Sequence, residues 1–129
     1  MKIADGALAL VLNTESAIGQ TVFDAAPYVP VTAVVAILHV TFTWAFDVGL
    51  SASAWMQLKL HRYSSGAAFL YESHSTAPGT GPTGTTSLQI LVPMTERKFV
   101  WETIRQGFSA TAPNVTAHPN VTANLIGYI

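Results

Sequence analysis

From Val34 to Asp47 the chain runs VVAILHVTFTWAFD, and one of its two side-chain registers is apolar at every position. Val34, Ala36, Leu38, Val40, Phe42, Trp44 and Phe46 fall on that face; Val35, Ile37, His39, Thr41, Thr43, Ala45 and Asp47 fall on the other. Successive side chains of a pleated backbone point to opposite sides, so strict period two in β-branched and aromatic residues predicts a long β-strand. Burial of one whole register makes it the central strand of a core.

The rest of the chain repeats the pattern in shorter pieces. Ala7 to Leu12 and Thr21 to Phe23 read as short strands joined by a polar connection, and Ala25 to Pro30, with two prolines three apart, reads as an extended entry or an edge segment. Ser51 to Tyr63 alternates, with Ala52, Ala54, Met56, Leu58 and Leu60 on one side. Ser64-Ser65-Gly66 then turns the chain into Ala67 to Ser75, predicting a hairpin. Thr76 to Thr86, rich in Gly, Pro and Thr, reads as an exposed loop. Ser87 to Met94, with Leu88, Ile90, Val92 and Met94 inward, turns at Thr95 to Lys98 and predicts a second hairpin with Phe99 to Gln106. The chain closes with two copies of PNVTA(H/N) and a strand from Asn120 in which Val121, Ala123, Leu125, Gly127 and Ile129 share a face. Two copies are too few for a solenoid. Seven or eight short strands without a credible long helix predict an all-β fold: a single antiparallel β-sandwich domain over 1–129, jelly-roll-like, with 1–30 as an N-terminal arm or edge strands.

Charge narrows the function classes. Six basic and seven acidic residues provide no electrostatic footprint for nucleic acid. Charged residues make up only 10% of the chain, against about 25% in ordinary soluble domains. With Val35, Ile37 and Ala45 on the outer register, that deficit predicts a homo-oligomer, with a trimer favoured and with either this face or a Trp55 and Tyr71 surface at the contact. Polar residues at strand spacing argue against a membrane span, and the N-terminal apolar run makes a poor signal peptide. There is no cysteine, which removes disulfides and thiol chemistry.

No stretch carries a catalytic or cofactor signature. His39, His61, His74 and His118 lie on separate segments without zinc-site spacing and read as solvated or interface histidines. Asp24, Asp47, Glu72, Glu96 and Glu102 include no closely spaced pair. The glycines between 79 and 84 lack the Lys-Ser/Thr of a phosphate loop. No catalytic, cofactor-binding or metal-binding residue is assigned. Asn114 and Asn120 match the glycosylation pattern, and both are read as chance matches. Trp55, Tyr63 and Tyr71, in or near the outer register of the first hairpin, are the candidate surface. Such residues serve a subunit interface or a sugar platform, and the interface is favoured.

A cysteine-free β-sandwich with few charges, a Gly/Pro/Thr loop and the terminal Asn124-Leu125-Ile126-Gly127-Tyr128-Ile129 resembles the minor structural proteins of tailed-bacteriophage virions. Head-decoration proteins and the jelly-roll tips of phage fibres have this build, and fibre tips often finish in a hydrophobic-Gly-Tyr strand. The resemblance implies a non-enzymatic virion component that decorates a capsid or forms a fibre or tail-associated tip, trimeric and in contact with other virion proteins. The alternative is a carbohydrate-binding or lectin-like adhesion module, with a glycan as ligand.

Overall fold

The computed structural model describes residues 1–44, 54–64, 69–77, 84–106 and 120–129; at 44, 54–55, 69–77, 84 and 105–106 only the backbone is described. Nine strands are defined there: β1 (Lys2–Ile3), β2 (Ala9–Thr14), β3 (Ile18–Asp24), β4 (Val35–Trp44), β5 (Ala54–Arg62), β6 (Phe69–Ala77), β7 (Gly84–Pro93), β8 (Lys98–Gln106) and β9 (Asn120–Tyr128). No helix occurs among the described residues. One sheet runs β1-β9-β4-β7, with β2 also on β9, and the other runs β3-β8-β5-β6; every pairing is antiparallel.

The pairs nest: β5 with β6, β4 with β7, β3 with β8 and β2 with β9. A chain paired in this way is one long hairpin wrapped around itself, which places β2-β9-β4-β7 against β3-β8-β5-β6. That is the strand order of a jelly roll. The predicted fold class stands.

β4 lies between β9 and β7, as its sequence pattern requires. Ala36, Leu38, Val40 and Phe42 are all buried in the common core, facing Met56, Leu58, Leu60, Phe99 and Trp101 of the opposing sheet. Val34 does not belong to this row: it precedes the strand and is 59% exposed. Phe46 and Asp47 lie outside the described residues.

The first hairpin forms between β5 and β6. The second does not. Thr95 and Lys98 close a tight turn, but β7 pairs with β4 while β8 pairs with β3 and β5 in the other sheet. Ile90, Val92 and Met94 before the turn and Phe99 and Trp101 after it all reach the core, and the chain achieves this by crossing from one sheet to the other. Glu96 and Arg97 both have positive φ, 55° and 59°, so the turn is of the tight left-handed kind usually built from Asn-Gly.

The Arg97 guanidinium donates to the carbonyls of Ala26 and Val29 at 3.3 and 3.4 Å. That segment is a compact turn, where an extended entry or an edge segment was expected. Asp24 accepts from the Ala26 amide at 2.9 Å, and the amides of Tyr28 and Val29 both donate to the Ala25 carbonyl. Ala25 and Val29 are thereby buried.

Three further expectations shift. β6 extends to Ala77 and β7 begins at Gly84, so only 78–83 of the predicted loop falls outside the described residues. β1 pairs with the end of β9 and had no counterpart in the sequence pattern. The β9–β4 ladder shifts register between Ile37 and Leu38, pairing Leu38 with Leu125 but Ile37 with Gly127. Ile126 is the extra residue, so Tyr128 packs against the core while Gly127 and Ile129 leave the face of Leu125.

Candidate functional site: the outer face of the five-stranded sheet

Paired residues share a face, so the ladders arrange the outer side of this sheet in rows. One row runs Ile3, Gly127, Ile37, Leu91, and the next runs Leu10, Asn124, His39, Gln89. Asn13, Thr122, Thr41 and Ser87 follow, and after them Asn120, Thr43 and Thr85. The face therefore divides along its length into an apolar end and a hydroxyl-amide end.

The apolar end exposes large side chains. Ile3 is 50% exposed, Leu10 58% and Leu91 56%, and Ile129, hydrogen-bonded through its backbone to Val34 and Val35, is 42% exposed. Leu10 faces out because the ladder of β2 shifts between Leu10 and Leu12, sending Leu12 into the core. The polar end is held by its own bonds. Asn120 Nδ2 donates to Asn13 Oδ1 at 2.8 Å and to Thr122 Oγ1 at 3.1 Å, and the Thr122 hydroxyl donates to Asn13 Oδ1 at 3.2 Å. The hydroxyls of Thr41 and Ser87 lie 3.1 Å apart.

The three aromatic candidates do not share one face. Trp55 pairs with Thr76 and Gln106, in the outer row of the four-stranded sheet. Tyr71 pairs with Leu60, so its backbone position lies in the opposite register, the one that on β5 enters the core. Tyr63 follows β5 and is half-buried, with the Lys98 ammonium 5.2 Å from its ring centre. That cation already occupies one ring face.

The two histidines whose side chains are described differ. His39 is half-buried in the outer row beside Asn124 and Gln89, whereas His61 is buried against expectation, its Nδ1 3.1 Å from the Arg62 carbonyl. His74 lies in β6, and His118 lies outside the described residues. Among the described residues no three His, Cys, Asp or Glu side chains converge as metal ligands.

The apolar end was only partly legible beforehand. Leu91 stands between Gln89 and Pro93 in the outward register, which is a signal. Leu10 sits within an all-apolar ALVL run, where alternation says nothing.

No protein-family model matches this chain, and no curated protein matches it.

Proposed function

We propose that this chain is a non-enzymatic virion structural protein, built to assemble with copies of itself and with other virion proteins. The observation that carries the reading is the apolar end of the outer face, where Ile3, Leu10, Leu91 and Ile129 are exposed together on a chain with only 10% charged residues. Exposed clusters of this kind mark contact surfaces. The jelly roll is an architecture used by viral capsid and lectin domains, which agrees with the reading without selecting between them. Of the buried polar side chains among the described residues, Gln57 and His61 lie in the outward register of β5 and Thr103 in the core-facing register of β8, and His39 also lies in an outer row. A cupin-like enzyme needs a polar, histidine-lined interior, so these positions favour a structural role.

The lectin-like alternative rests on an aromatic platform. Trp55 and Tyr71 occupy opposite registers, and Lys98 sits over the ring of Tyr63. The assembly reading is therefore preferred, with a trimer as the favoured order. Light scattering on the purified chain tests it: a mass of three chains or a multiple of three is expected, carried by the apolar end. A stable monomer at micromolar concentration would leave only docking onto a larger particle.

A further inference from the structure

Two sheets have four edges, and three of them here carry features that discourage pairing with another chain. The edge formed by β1 and β2 is interrupted by residues 4–8 and shifts register between Leu10 and Leu12. The β3 ladder shifts between Ile18 and Thr21, and β3 ends on Asp24. β6 carries Glu72, and its ladder shifts opposite Leu60 and His61. Charges and bulges are the ordinary means by which sheet edges are blunted.

β7 has none of these. Its sequence, GTTSLQILVP, holds no charged residue and has proline only at its last position. It pairs with β4 through ten consecutive residues without a register shift, and β4 is its only ladder partner among the described residues. The direction of its free hydrogen-bonding groups follows from its neighbours. The Met94 amide donates to the Val34 carbonyl at 2.8 Å, and Val35 bonds in both directions with Ile129 on the β9 side. Backbone groups alternate sides along a strand, so Thr86, Leu88, Ile90 and Val92 bond toward β4. Thr85, Ser87, Gln89 and Leu91 then point their N–H and C=O groups away from the sheet. All four are exposed. Pro93, which has no N–H to offer, falls on the same outward parity, where a strand tolerates proline.

The core is also less covered along this strand. Leu88 belongs to the inward row with Ile90 and Val92 yet is only half-buried, and Thr86, paired with buried Phe42, is exposed.

We infer that β7 is a pairing edge for a second copy of this chain, joined antiparallel across a twofold axis so that the two five-stranded sheets become continuous. Self-pairing suits this strand because a strand laid antiparallel to its own copy is complementary to itself by symmetry. Without charge from Gly84 to Pro93, that arrangement sets no like charges against each other. It satisfies the outward groups of Thr85, Ser87, Gln89 and Leu91, and it brings the inward row of the second copy beside Leu88. This contact goes beyond the proposed function: it runs along the sheet edge opposite Ile3 and Leu10, sharing only Leu91 with the apolar end, and adds a twofold joint to whatever the apolar face assembles.

Sedimentation equilibrium and light scattering on the full chain separate the two contacts. Gln89→Pro removes an outward N–H that the β4 ladder does not use, so it should keep the β-type circular dichroism spectrum and halve the particle mass. Ser87→Lys, which keeps the backbone and sets like charges near the twofold, should also halve the mass and decides the matter if the proline variant misfolds. Leu10→Lys acts on the apolar face alone and should leave a dimer joined through β7. If the mass is unchanged in folded Gln89→Pro and in Ser87→Lys, the edge holds no second copy and the inference fails; a strand from a different protein as the occupant gives this same result. A wild-type dimer insensitive to Leu10→Lys but dissociated by Ser87→Lys would remove the apolar-face reading and leave the β7 contact standing.

Discussion

Ile37 stands directly across from Gly127 on the outer face of the five-stranded sheet, and it is only 1% exposed although its register points away from the core. A Cβ on Gly127 would run into the Lys2 carbonyl oxygen and lie 3.0 Å from the Cα of Ile3. β1 therefore approaches along the direction that a side chain at 127 would take, and only glycine permits it. Ile37, which the charge deficit alone would assign to a subunit contact, is covered by its own chain, while Ile3 and Leu91 in the same row are exposed.

This arrangement predicts a coupling between Gly127 and the N-terminal strand. Gly127→Ala should destabilise the fold by about 1–3 kcal/mol, the range expected when a group is forced into an occupied site. In a chain lacking residues 1–3 the same substitution should cost less than about 0.5 kcal/mol, since the obstructing backbone is gone. Denaturant unfolding of the four proteins completes the cycle, and equal costs in both backgrounds would mean that β1 is not what the methyl group meets.

Phe42 lies on the core face of β4 near its C-terminal end, between Val121 on β9 and Thr86 on β7, and is buried. Phe42→Ala should cost about 3–5 kcal/mol, the transfer and cavity terms together. A loss below about 1 kcal/mol in urea titration would place the core on the other register of this strand.

Thr103 is a buried polar side chain in the core-facing register of β8, paired with Leu58 and 2% exposed. Its hydroxyl donates to the Ser16 carbonyl at 2.7 Å and accepts from the Ile18 amide at 2.8 Å, tying the β2–β3 connection to β8. Thr103→Val keeps the shape but strands both backbone groups, so a loss of about 1–3 kcal/mol is expected. Thr103→Ser retains the hydroxyl and should lose only about 0.8 kcal/mol for the missing methyl. Equal losses for the two variants would show that the methyl group, and not the hydroxyl, is what the site needs.

Period-two alternation is a local property, set by the pleat of a single strand and independent of its partners. For that reason the core faces of β4 and β5, the inward row Ile90, Val92 and Met94, and the short hairpin between β5 and β6 were all readable from residues alone. The low charge was readable too, and it pointed to hidden surface before any surface was in view.

What the tertiary structure decided were the choices that local pattern leaves open. The turn at Glu96 and Arg97 is compatible with a hairpin or with a crossing between sheets, and the burial of β7 and β8 from opposite sides of the core selected the crossing. Leu125 and Ile126 are both apolar, so nothing in the sequence marked the extra residue that turns Tyr128 inward and frees Gly127 to receive β1. In the ALVL run the register shift alone assigned Leu12 to the core and Leu10 to the surface. Alternation records which residues share a side of a strand; which side is covered, and by what, depends on contacts between segments far apart in the chain.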